Sequence, residues 1–143
     1  MVKFFYLFVS LLAFGFLGCQ EKINQKSSKI EWDQDMCSRC VMVISDKKHA
    51  VLLKDPTTKV VYKFDDIGCM ALWFKEEKIE FKDSVVILIT DSESGEWIDA
   101  RKAFYTTGNT TPMAFGFNAY KLKESIKDAK EILTYSDVLQ RIK

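Results

Sequence analysis

The chain has 143 residues, with 21 basic against 20 acidic side chains and a net charge of +1. Charges this evenly balanced offer no basic stripe for nucleic acid, where clustered Lys and Arg are expected. With an export signal set aside, about 125 residues remain, the usual size of a single domain and enough to bury a real core.

The N-terminus reads as that signal. Lys3 is the only charge before an apolar run over residues 4–17, and this run is shorter than the roughly 20 residues a spanning helix needs. A short basic start, an apolar stretch and then small residues are the anatomy of an export signal. The run ends at Gly18-Cys19, which resembles the lipobox of bacterial lipoproteins. That resemblance implies a signal peptide over residues 1–18 and acylation of Cys19 as the new N-terminus. It puts the chain in the bacterial cell envelope, held to the membrane by lipid, and Gln20 favours the outer membrane facing the periplasm. Residues 19–34, polar at their start, read as a flexible tether, and 35–143 as the folded part.

Residues 41–44 and 49–54 are rich in β-formers, 55–59 is a turn, and 60–64 answers as the second strand of a hairpin. Asp65 or Asp66 can cap a helix over about 67–75. The continuous apolar run at 85–90 reads as a buried central strand. The order then returns in weaker form. Strands are expected at 96–99, 102–106 and 111–117, a helix over about 120–130, and a short strand at 131–134. Ser136 can cap a final helix through 142. Two similar β-β-α-β units, over about 36–92 and 95–142, in one compact domain give an α+β class.

Sulfur carries the chemistry. Cys37, Cys40 and Met42 place two thiols and a thioether within six residues. Cu(I) prefers thiolate and thioether ligands, whereas zinc has little use for methionine. A Cys-x-x-Cys pair alone is shared with redox dithiols and half zinc sites; Met42 tips the reading towards copper, although methionine also serves as core filler. Cys40 and Met42, two apart at the start of an expected strand, leave it on the same face. With Cys19 acylated, an odd number of thiols remains, so one is unpaired or tied up by metal; a Cys37–Cys40 disulfide beside an inert Cys69 is the alternative. Cys69 and Met70 lie on a helix apolar nearly all round and read as core before ligand. Met113, between Pro112 and Gly116, belongs to a loop or strand edge. His49, the only histidine, is either a pH-sensitive fourth donor or simply solvated. Helix capping accounts for Asp65 and Asp66 better than acid–base work does.

The motifs Cys37-x-x-Cys40-x-Met42, Phe64-Asp65-Asp66-Ile67-Gly68-Cys69-Met70 and Thr111-Pro112-Met113, in this order, resemble the NosL family. Those proteins are lipoproteins accessory to nitrous oxide reductase that bind Cu(I). The likeness runs from about Met36 to Val138. The family commonly has Gly at the positions of Val41 and Ala114. The resemblance implies Cys40 and Met113 as the foremost metal ligands, then Met42 and Cys37, with Cys69, Met70 and His49 behind them. It implies a fold shared with the organomercurial lyase family. It also implies Cu(I) as the ion and the nitrous oxide reductase maturation machinery as partner, either a transporter-associated periplasmic protein or the reductase itself. The expected role is a copper chaperone rather than an enzyme. A thiol-dependent organometal lyase and a dithiol redox protein are the alternatives.

Overall fold

Val51, Leu52 and Leu53 are all buried, so the strand they form lies inside a sheet rather than at its edge. This strand, β1 (Val51–Lys54), pairs antiparallel with β2 (Val61–Phe64), Val51 facing Phe64. The computed structural model that shows this describes residues 29–143; the export signal, Cys19 and most of the tether lie outside the described residues. The hairpin turn is built by Asp55, whose carboxylate accepts the backbone N–H groups of Thr57 and Thr58. On its other side β1 pairs with β3 (Ile87–Thr90), and β3 with β4 (Trp97–Asp99), giving a four-stranded antiparallel sheet in the order β2-β1-β3-β4.

Helix α1 (Ile67–Glu76) starts at Asp66, whose side chain accepts the Gly68 N–H. Its residues are apolar nearly all round, and seven of the ten are buried. Tyr62 and Phe64, two apart and therefore on one face of β2, both meet Trp73 of α1, with ring centroids 4.5 and 5.4 Å away. That aromatic contact lays α1 against the sheet.

The second sheet is small. β5 (Phe104–Thr106) pairs antiparallel with β6 (Asn118–Tyr120), and Tyr105 exchanges both backbone hydrogen bonds with Leu133 on its other side. The pairing order β6-β5-Leu133 parallels β2-β1-β3, though Leu133 adds only a single bridge and no α-helix lies between it and β6; the class is α+β. Helix α2 (Tyr135–Arg141) closes the chain, burying Tyr135 and Val138. No helix of the described residues is long and apolar enough to cross a membrane.

Several expected elements are corrected. The strand at 96–99 joins the first sheet, not the second. The stretch 41–44 contributes only an isolated Met36–Val43 bridge. Residues 111–117 are a loop, because Pro112 lacks a donor and Ala114 and Gly116 both turn to positive φ. The helix over 120–130 is replaced by one 3-10 turn, Lys123–Ser125. Leu122 there is exposed, and Asp128 turns to a left-handed φ of 55°, which interrupts any helix through the segment.

Thr134, not Ser136, caps α2: its hydroxyl accepts the Asp137 N–H while the Asp137 carboxylate accepts the Thr134 N–H, a capping box. Thr134→Ala should therefore cost about 1 kcal/mol in urea unfolding, and Ser136→Ala less than about 0.5 kcal/mol. The reverse ranking would move the cap back to Ser136.

Candidate metal centre

A tight loop places the first two thiols. Ile44 donates to Asp35 O at 2.9 Å, Cys37 to Met42 O at 2.8 Å and Val41 to Cys37 O at 3.1 Å. The loop is fastened on two sides. Ser38 N–H donates to Lys63 O while Lys63 N–H returns to Ser38 Oγ, fixing it to the edge of β2. Arg39 grips Glu76, at the end of α1, through two hydrogen bonds of 2.9 and 2.7 Å. Held this way, Cys37 is buried, Cys40 is half-buried, and Val41 and Met42 are exposed.

The interior behind this loop is the entrance of α1. Cys69, in its first turn, is fully buried, as is Asp65 just ahead of the cap. The donor atoms of Cys37, Cys40, Asp65 and Cys69 all lie within 4.8 Å of one another. The Cys40 thiol donates to Asp65 Oδ2 at 3.5 Å. Cys37, Cys40 and Cys69 are free thiols, with no Cys37–Cys40 disulfide among the described residues.

Four acidic groups this close cannot all ionise; the site titrates as a unit. The Cys69 thiol donates to the Cys37 sulfur, and the backbone N–H groups of Cys40, Arg39 and Asp65 also aim at it. Against the effect of burial, these donors pull Cys37 down to about 4. Cys69, which supplies that proton, is pushed far above the usual thiol range by the same hydrogen bond and by burial. Burial, followed by the charge on Cys37, pushes Cys40 up to about 11. Burial and then Cys37 also raise Asp65 above the usual carboxylate range. Within the cluster, Cys37 is thus the donor held most strongly towards the thiolate. Asp65 Oδ1 is buried with no hydrogen-bond partner among the described residues, so one oxygen of this group stands ready for a cation. The donor set fits a thiophilic ion.

Met113 comes to the same entrance from the second half of the chain. Asp66 Oδ2 accepts the Thr111 hydroxyl at 2.6 Å and the Met113 N–H at 3.4 Å. Thr111 Oγ1 in turn accepts the Gly116 N–H. The Phe115 ring lies over Gly68, occupying the space a Cβ would need. Asp65 therefore holds the Cys40 thiol while its neighbour Asp66, about 3.8 Å away between Cα atoms, holds the Met113 backbone. Met113 is half-buried and packs against the core.

The remaining candidates fall elsewhere. Met70 is fully buried in the core. His49 is outside the cluster; its Nε2 is 2.9 Å from Asn118 Oδ1 and its Nδ1 3.0 Å from Asp46 Oδ2. Met42 is 52% exposed, and because residues 37–42 form a loop rather than a strand, the same-face argument for Cys40 and Met42 does not hold. Asp65 was missed as a donor. Asp65 lies ahead of the helix cap, outside the helix, so no periodicity in the sequence points to it.

Val41 and Ala114, where the resembling family commonly has Gly, both take left-handed backbone, with φ of 61° and 58°. That region costs an L-residue about 1–2 kcal/mol, while Gly pays about 0.5–1 kcal/mol of extra chain entropy. Val41→Gly and Ala114→Gly should each stabilise the fold by roughly 0.5–1 kcal/mol in urea unfolding, the β-branched Val41 more than Ala114. A loss of stability would show that these angles carry no strain.

No protein-family model matches the chain. The copper-binding lipoprotein NosL of Stutzerimonas stutzeri is 29% identical over 140 aligned residues, spanning 88% of this chain and 70% of that protein. The crystal structure of the copper chaperone NosL from Shewanella denitrificans superposes with a TM-score of 0.58 at 17% identity, covering 69% of this chain and 81% of that one. The latter likeness is one of fold. In sequence the chain is similar to the first of these NosL proteins, and in fold to the second.

Proposed function

We propose that the chain is a copper chaperone, lipid-anchored through Cys19 in the cell envelope, which receives Cu(I) and passes it to the maturation machinery of nitrous oxide reductase. The observation that carries this reading is the convergence of three free thiols at one helix entrance, with the Met113 loop fastened beside them. Cu(I) is soft, and thiolates and thioethers are the ligands it selects. In this reading half-buried Cys40 is the entry ligand and Met113 its thioether partner. Cys37 and Cys69 stand behind as buried sulfurs, and exposed Met42 lies at the rim.

The arrangement favours transfer. Cys40 and Met42 face solvent in part, so an acceptor can add its own donor before the last sulfur lets go. A neutral thioether adds softness without charge and holds the ion less tightly than another thiolate. The acceptor is a transporter-associated periplasmic protein or the reductase itself, and the chain performs no chemistry on the ion beyond exchanging its ligands.

Anaerobic titration of the reduced full chain with Cu(I), against a coloured chelator, tests this. One Cu(I) should bind per chain. Cys40→Ser should weaken binding on the order of a hundredfold, about 2.7 kcal/mol, and Met113→Leu on the order of tenfold, whereas His49→Gln and Met70→Leu leave it unchanged. Equal affinity in wild type and Cys40→Ser would remove Cys40 from the ligand set. Hydrocarbon release from an organomercurial, or turnover of a disulfide substrate, would move the function to a lyase or to a dithiol redox protein.

A further inference from the structure

The larger sheet has two faces, and α1 covers one of them. Directly paired residues share a face, so Val51, Leu53, Ile87, Ile89 and Ile98 lie on the same side as Phe64 and Tyr62, against α1. The opposite, outer face carries Val61, Leu88 and Trp97, all only partly buried. Val86, in step with Leu88 and between buried Val85 and Ile87, is 69% exposed on that side. The chain arrives from its tether here: Ile30 is buried, and the Trp32 ring stacks on Trp97 with centroids 6.5 Å apart and planes 12° from parallel.

We propose that this outer face lies against the lipid surface in which the tether is anchored, with Trp32 and Trp97 seated at the membrane–water interface. The inference rests on the reading of Cys19 as a lipid anchor. Cys19 is eleven positions before Ile30, a reach of at most about 40 Å and on the order of 18 Å for a flexible chain. The lipid therefore holds the domain close to the bilayer at a high effective concentration, and a modest apolar surface suffices to dock it. Tryptophan suits the task, its ring being apolar and its indole N–H polar. Exposed apolar patches of this kind mark contact surfaces. Other occupants fit less well. Residues 20–28 hold one apolar side chain, Ile23, too little to cover the face. A second copy pressed on it would trap both tethers between the two domains.

The charges of the face nearly cancel. Lys63 pairs with Asp35 and Asp99 with Lys102, which leaves Lys54 among the described strands. Apolar contact, rather than attraction to anionic headgroups, holds such a face to lipid. Docking this way turns α1, on the inner face, away from the bilayer, and with it the thiol cluster at its entrance. The lipid surface then orients the domain as well as retaining it.

The test uses the full chain in its lipidated form, reconstituted into vesicles of phosphatidylethanolamine and phosphatidylglycerol whose acyl chains carry bromine near the headgroup. Vesicle flotation reports anchoring, and quenching of indole emission by bromine at contact range reports docking. Trp73, 7% exposed between α1 and the sheet, is the internal control. Emission from Trp32 and Trp97 should be quenched and stay quenched in high salt, whereas the double variant Trp32→Phe, Trp97→Phe should keep its emission. Val86→Glu, at a position too exposed for the fold to depend on it, should lower quenching on the order of twofold without loss of flotation. A chain that floats with the vesicles yet shows no quenching beyond that of the double variant overturns the inference and leaves the lipid anchor standing. The same result with a doubled mass in sedimentation gives the face to a second copy instead. Quenching that high salt abolishes, or that Val86→Glu leaves unaltered, would also overturn it. Failure to float brings down the anchor and the inference together.

Discussion

Two adjacent carboxylates at the entrance to α1 set the geometry on which the site depends. Asp66 is buried, and it takes the Gly68 N–H, the Thr111 hydroxyl and the Met113 N–H together. Hydrogen bonds to a charged acceptor are worth about 1.5–3 kcal/mol each when made, and a buried carboxylate deprived of them is costly. One residue therefore caps the helix and fastens the loop of the second half to it. Its neighbour Asp65 turns to the other side and takes the Cys40 thiol. The hairpin, the Tyr62–Phe64–Trp73 aromatic contact and the Arg39–Glu76 grip serve to hold that entrance still.

The electrostatics follow from this crowding. Three thiols and a carboxyl share one small buried space, so ionising one suppresses the others. The charge settles on Cys37 because the most donors converge there. The cluster is then a pre-assembled set of three sulfurs and a carboxyl group, already close together before any ion arrives. Its outer member, Cys40, borders solvent beside strained Val41 and exposed Met42. A rigid interior and an open rim are what an ion needs to arrive and leave without unfolding its host.

Much of this was legible in the sequence. The hairpin over 51–64 has β-formers on either side of an Asp-Pro turn, and α1 has its cap and apolar surface in plain view. The Cys37–Cys40 pair and the Met113 loop were visible as soft donors. What escaped depended on distant packing. Cys69 read as inert core because an apolar helix buries its residues, and burial is true of it; only tertiary contact shows that it is buried against two other thiols. In the sequence Asp65 is indistinguishable from a cap, because Asp66 performs that task one residue later. The absent helix at 120–130 has helix-forming residue types and Leu122, Ile126 and Ala129 at helical spacing; the left-handed angle at Asp128 that interrupts it has no signature in the sequence. Left-handed Val41 and Ala114 have no local signature, since side chains there gave no reason to expect the angle.

X-ray absorption at the copper edge of the Cu(I)-loaded full chain tests the central claim, that sulfurs from separate parts of the chain meet on one ion. The account predicts a first shell of sulfur alone, with more than one sulfur per copper. A shell containing nitrogen, or one sulfur completed by light atoms, would contradict it.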